Sequence, residues 1–105
     1  MVRPNASQSL RLELLRDEVV TEMKSLGVFS VESLNIASTV NLGLLRKNST
    51  QRHGVTRWIR EQGELILQTV DLHPVLLEQD WSRYAAFVIY HELLHMKFLY
   101  FYLTF

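Results

Sequence analysis

The last part of the chain, Ala85 to Phe105, is its most apolar segment and the feature that most constrains the fold. Within it, the run "FVIYHELLHMKF" carries His91, Glu92 and His95 among apolar neighbours. Imidazoles and carboxylates are costly to remove from water unless something pairs with them, so a buried cluster of this kind needs a partner. The surrounding sequence supplies no obvious one.

Apolar residues on nearly every face predict that this segment forms a buried helix. The helix is expected to begin near Trp81, with Asp80 as its N-cap. The segment is also long enough to cross a bilayer, but the ionisable groups in its middle, which include Lys97, would cost several kcal/mol at that depth. We therefore expect no membrane span.

Length and composition narrow the class of protein. The chain has 105 residues and a mass of 12.3 kDa, which indicates one domain, residues 1–105. Lys plus Arg and Asp plus Glu both number 11, so overall charge gives no reason to expect nucleic acid or an anionic membrane. There is no cysteine, so metal binding would fall to His, Asp and Glu. The opening "MVRPNASQSL" has no apolar core typical of a secretory signal, and a cytoplasmic location is expected.

The first half of the chain is expected to hold one helix and one strand. Apolar residues recur at helical spacing from Ser9 to Leu26, and Gly27 follows as a stop signal. Alternating apolar and β-branched residues then predict a strand near Leu34 to Leu45. The turn-forming run "RKNSTQRHG" predicts an exposed loop after it.

The second half begins with a predicted hairpin. The runs "VTRWI" and "ELILQTV" are rich in strand-forming residues, and the glycine of the intervening "REQG" suits a tight turn. Pro74 ends regular pairing and favours a short helix that starts at the proline. Together these elements predict an α+β domain, with the two long helices packed on a three-stranded antiparallel sheet. An all-helical bundle is the alternative.

The pentapeptide "HELLH" matches the zinc-binding pattern H-E-x-x-H on a predicted helix. Residues four apart lie on one helix face, with Cβ atoms about 5 to 6 Å apart, so His91 and His95 can reach one zinc ion. Glu92 projects beside that ion, where it can take a proton from water and deliver it to a leaving amine. This chemistry is hydrolysis of a polypeptide substrate. The alternative is that these are surface groups that match the pattern by chance.

The stretch from Gly54 to Phe98 resembles the SprT-like family of zinc metallopeptidases, which includes the DNA-protein crosslink protease Spartan. The resemblance rests on Thr-Arg-Trp in a strand, then "LHPVLL", then "HELLH", in the family's order and spacing. It implies a minimal zincin-like domain in which His91 and His95 bind zinc and Glu92 is the general base.

The resemblance also implies that Trp58 lies on a sheet edge near the substrate groove, although a strand tryptophan is more often a core residue.

The chain departs from the family after His95, because no His, Asp or Glu follows it. Family members have a third metal ligand there, and a catalytic zinc normally has three protein ligands. We therefore expect a truncated or degenerate site that binds zinc weakly. His53 and His73 are the other candidate ligands, although an exposed or hydrogen-bonding role is more common for such residues.

Two other functions compete with peptide hydrolysis. The first is a non-catalytic module that keeps the fold and binds DNA phosphates through a basic patch, although a solvated loop is the more common explanation for such a patch. The patch consists of Arg46, Lys47, Arg52, Arg57 and Arg60. The second is docking of the aromatic C-terminal tail on a partner or on another copy of the chain.

Overall fold

The computed structural model describes the backbone of residues 2–48 and 52–104, with the side chains of 65, 67, 68 and 96–104 left aside. The chain is an α+β domain, as predicted. Part of the predicted loop, residues 49–51, and the side chains of the aromatic tail lie outside the described residues. The elements in chain order are α1 (Ala6–Leu26), α2 (Val31–Thr39), β1 (Asn41–Leu44), β2 (Gly54–Glu61), β3 (Glu64–Leu72), two short 3-10 helices (Pro74–Leu77 and Gln79–Trp81) and α3 (Ser82–Thr104).

Helix α1 begins earlier than predicted because Asn5 caps it. The Asn5 side chain accepts a hydrogen bond from the Gln8 N–H at 2.8 Å, and the Gln8 side chain accepts one from the Asn5 N–H at 2.9 Å. This reciprocal capping box satisfies donors that a helix start leaves open. The helix ends at Gly27, which has the left-handed φ of 69° that favours glycine. The side chains that α1 buries are Leu12, Leu15, Val19, Val20 and Met23.

The predicted strand from Leu34 to Leu45 is wrong over most of its length. Helix α2 takes up the first part, and only β1, Asn41–Leu44, is extended. The Ser30 hydroxyl accepts a hydrogen bond from the Ser33 N–H at 3.0 Å and caps the helix. Strand preference depends strongly on context, and this cap together with burial of Ala37 in the core favours the helix instead.

The three strands form one sheet in the order β1-β3-β2, and the sheet is mixed rather than antiparallel throughout. Strands β2 and β3 form the predicted antiparallel hairpin. Strand β1 pairs with β3 in parallel, from Asn41 opposite Thr69 to Leu44 opposite Leu72. The chain passes from β1 to the far edge of the sheet, and the hairpin then returns β3 between the other two strands. The prediction failed because the orientation of β1 depends on this long connection and not on local pattern.

Helix α3 packs on the sheet and α1, but it is not buried on all sides as predicted. Its buried face contains Ala85, Ile89 and Leu93, which belong to the main core cluster. Its outer face leaves Tyr84 40% and Phe87 60% exposed. Within the described part of the chain, no helix combines the length and the apolar character that a bilayer crossing needs.

The segment between β3 and α3 contains the predicted short helix, a 3-10 helix that starts at Pro74. The predicted N-cap role of Asp80 is wrong. Asp80 lies inside the second 3-10 helix, Gln79–Trp81, whereas an N-cap residue has an extended backbone. Helix α3 follows directly at Ser82, whose hydroxyl donates to the Gln79 carbonyl oxygen at 2.8 Å.

Candidate metal centre

A cleft of about 330 Å³ opens between strand β2 and helix α3. Strand β2 is at the edge of the sheet, so no further strand of the described chain covers this side. The cleft is lined by Arg52, Gly54, Val55, Thr56, Trp58, Glu92 and His95. It therefore contains two of the three residues of the predicted zinc motif.

Gly54 allows β2 to lie close against α3. A Cβ atom at this position would be 2.6 Å from Val88 Cγ1 and 3.1 Å from Glu92 Cγ. Contacts this short do not fit ordinary packing, because buried side chains are already close-packed. Because Gly54 has no side chain, strand β2 can pack directly against helix α3 beside Glu92.

Glu92 is the buried member of the motif, with only 7% of its surface exposed. The Thr56 hydroxyl lies 2.5 Å from Glu92 Oε2 and 3.1 Å from the Glu92 carbonyl oxygen. A hydroxyl donates one hydrogen, and a carboxylate oxygen is the stronger acceptor of the two. Because a buried carboxylate needs a partner, Thr56 stabilises Glu92 in this position.

His91 and His95 are exposed on the same side of α3, which is helical through both positions. Their ring centroids are 5.4 Å apart and their planes are at 86°. A nitrogen of each ring and a carboxylate oxygen of Glu92 all lie within 4.8 Å of one another. Two imidazoles that share one tetrahedral ion at about 2.1 Å have centroids about 5 Å apart, so the spacing fits. Nitrogen and oxygen donors of this kind are also the ones that zinc accepts.

His73 is engaged away from this group. Its Nδ1 accepts a hydrogen bond from the Val75 N–H at 3.1 Å, which caps the 3-10 helix at Pro74. Its Nε2 lies 3.1 Å from the Lys47 carbonyl oxygen and donates to it, because a carbonyl can only accept. Both ring nitrogens are therefore in use, and His73 as placed is not a metal ligand.

His53 also lies outside the group. Its Nδ1 is 2.9 Å from the Tyr84 hydroxyl, and its ring packs edge-on against Tyr84 and His73. Among the residues that the structure describes, the only candidate metal-binding group is His91, Glu92 and His95. The structure thus brings no third imidazole to the pair.

The residues of the predicted DNA-binding patch differ in their hydrogen-bond partners. The Arg57 side chain donates from Nε to Asp71 Oδ2 at 2.6 Å, and Asp71 is completely buried. Arg60 donates to the Gly63 carbonyl oxygen at 3.3 Å. All five members are exposed, including Arg46, Lys47 and Arg52. Arg57 therefore has a structural partner, and DNA binding by this patch stays a prediction.

Sequence reasoning did not single out Thr56 or Gly54 as parts of the site. The signal that could have found them is strand alternation, since residues two apart on β2 point to the same face. Trp58 shares this face, is half-buried and lines the cleft on the edge strand. Trp58 also packs against the main core cluster, which is the more common role of a strand tryptophan, and its place beside a substrate stays a prediction.

No known protein family, curated protein or solved structure matches this chain. The SprT-like resemblance therefore rests on the residues between Gly54 and Phe98 that carry it. The fold and site define an α+β domain with a His-Glu-His group that could hold a metal ion.

Proposed function

We propose that this chain is a zinc-dependent metallopeptidase domain of the SprT-like type. In this proposal His91 and His95 bind the metal and Glu92 is the general base. The observation that carries it is the convergence of two imidazole nitrogens and a buried carboxylate oxygen within 4.8 Å on one helix. Two of these donors, on Glu92 and His95, line a cleft beside an edge strand, where a substrate can enter.

The burial of the three side chains supports different roles for them. The exposed rings of His91 and His95 can meet an ion that arrives from solvent. The Glu92 carboxylate is buried and bonded to Thr56, so its orientation is fixed before substrate binds. When bound, zinc would acidify water and polarise the scissile carbonyl. Glu92 would accept the proton of that water and pass it to the leaving amine.

The edge position of β2 supports a polypeptide as the substrate. An extended peptide can pair with an exposed edge strand through main-chain hydrogen bonds, while alternate side chains enter pockets. The cleft wall that contains Thr56 and Trp58 belongs to this strand. A peptide along β2 would place a backbone carbonyl near Glu92 and His95.

The described residues supply an incomplete set of zinc ligands, which lowers the affinity of the site for zinc. Two imidazoles are fewer than the three protein ligands of an ordinary catalytic zinc site. Zinc binding by the 105-residue chain is therefore expected to be weak and its proteolysis slow or absent.

Zinc titration by calorimetry tests the proposed ligands. We expect His91→Ala and His95→Ala each to lower zinc affinity by about tenfold or more, since even loss of a group that only hydrogen-bonds to a metal ligand costs about 10- to 100-fold. His53→Ala is the matched control, because it removes an exposed imidazole outside the group. If His53→Ala weakens zinc binding as much as the other two, the ligand assignment is wrong.

A further inference from the structure

A second concavity, of about 750 Å³, lies between α1 and α3. We call it the α1–α3 groove. Its lining comes from both helices and consists of Leu14, Asp17, Glu18, Val19, Thr21, Glu22, Leu26, Ala86, Phe87 and Tyr90. At 100° per residue, Ala86 and Tyr90 lie on one flank of α3 and His95 on the other. The groove and the β2–α3 cleft have no lining residue in common, but the Phe87 ring of the groove stacks on His91 of the candidate metal centre, with centroids 6.3 Å apart.

Large apolar side chains are left exposed along this groove. Leu14 is 51%, Leu26 54% and Phe87 60% exposed. Clustered exposure of this kind is characteristic of surfaces that bind another molecule. From Leu14 to Leu26, α1 extends about 18 Å at 1.5 Å per residue, which is about three turns of a docked helix.

The charge along the groove is of one sign. Asp17, Glu18 and Glu22 line it, and no lysine or arginine does. Among the described residues, Asp17 faces Arg16 at 4.0 Å, while Glu18 and Glu22 form no ion pair. These carboxylates complement positive charge on whatever packs against the exposed leucines.

We propose that the α1–α3 groove binds a basic amphipathic helix of a partner protein. The apolar face of that helix covers Leu14, Leu26 and Phe87, and its lysines or arginines meet Glu18 and Glu22. A groove between two packed helices accepts a third helix by the same ridge-and-groove packing that joins the first two. The residues that would contact this helix do not line the β2–α3 cleft, so this inference does not depend on the peptidase proposal.

Fluorescence anisotropy with synthetic peptides tests this surface on the full chain. The probe is a labelled helical peptide of about 14 residues, with leucines on one face and lysines on the other, and the comparison is the same peptide with glutamates in place of lysines. We expect the lysine peptide to bind and the glutamate peptide to bind at least about tenfold more weakly.

Variants of α1 identify the site. The single changes Glu18→Lys and Glu22→Lys should each weaken binding of the lysine peptide several-fold. Leu14→Ala and Leu26→Ala should each weaken it several-fold, and both positions are exposed enough to keep the fold. The matched control is Glu13→Lys, which changes charge on an exposed position of the same helix outside the groove.

Three results would overturn the inference. Equal weakening by Glu13→Lys would show attraction to net charge alone, and equal binding of both peptides would show apolar adhesion without charge selection. A dimer that sedimentation detects and that Leu14→Ala dissociates would make a second copy of the chain the occupant.

Discussion

The Thr56 hydroxyl on β2 lies directly against the Glu92 carboxylate on α3, 2.5 Å from Oε2. The same hydroxyl is 3.1 Å from the Glu92 carbonyl oxygen, so one strand residue contacts both the side chain and the backbone of the proposed base. The orientation of Glu92 therefore depends on where β2 packs. In the proposed peptidase Thr56 is a positioning residue, since it acts through Glu92.

Thr56→Val should lower the free energy of unfolding by about 1 to 3 kcal/mol. Valine keeps the branched shape but removes the hydrogen bond to a buried carboxylate, which then lacks that partner. Urea denaturation measures the loss, and Thr56→Ser is the control that keeps the hydroxyl. A double-mutant cycle with Glu92→Gln should show coupling between the two positions, and strictly additive losses would contradict the contact.

Gly54→Ala should destabilise the chain by about 1 to 3 kcal/mol, because the new Cβ collides with Val88 in a packed region. The double variant Gly54→Ala with Val88→Ala creates room for the added methyl group. It should lose less stability than the sum of the single changes in thermal or chemical denaturation. A neutral Gly54→Ala would mean that β2 does not approach α3 this closely.

Arg57→Met should lower the free energy of unfolding by about 2 to 3 kcal/mol. This value lies between the roughly 1 kcal/mol lost with a surface ion pair and the roughly 3 to 5 kcal/mol lost on breaking a buried ion pair. The Arg57 side chain is 46% exposed, but its partner Asp71 is fully buried. The other carboxylate oxygen of Asp71 has no hydrogen-bond partner among the described residues. Adding Asp71→Asn should restore part of the loss, whereas Arg60→Met should be nearly neutral. If the two arginine variants are equally stable, the Asp71 pair has no structural role.

The peptidase proposal predicts a gain of function on completing the ligand set. Appending a SprT-like C-terminal loop that bears a histidine should raise zinc affinity and produce proteolysis that chelators abolish. Glu92→Gln in that extended chain should remove proteolysis while zinc stays bound, because the change removes the base and not a ligand. Digestion of an unfolded protein and metal analysis measure the two effects separately. An extended chain that binds zinc but remains inert would contradict the peptidase proposal.

Elements with local signals could be predicted from the sequence. The hairpin follows from two β-rich runs around a glycine turn, and its central residues Gln62 and Gly63 both adopt the positive φ that such turns use. Helix α1 was also predicted, although the Asn5 cap moved its start. Helix α2 was not predicted because the cap at Ser30 and the burial of Ala37 outweigh the strand preference of its β-branched residues.

The candidate site could be predicted only where it depends on one helix. The spacing of His91 and His95 on α3 is a local property, and helical geometry brings their rings together. The contacts of Glu92 with Thr56 and Gly54 join elements that are distant in sequence. They depend on the packing of β2 against α3, which no short pattern in the sequence encodes.

The parallel pairing of β1 with β3 has a consequence for the order in which the chain folds. The hairpin joins residues that are close in sequence, such as Glu61 and Glu64, and hairpins of this kind form in about 1 to 10 μs. Asn41 and Thr69 pair only after the long segment between them has closed into a loop. This step is slower than hairpin formation, because closing a long loop costs conformational entropy. We expect β1 to join a preformed hairpin late in folding. Substitutions in β1 should then mainly accelerate unfolding, while substitutions in the hairpin should slow folding itself.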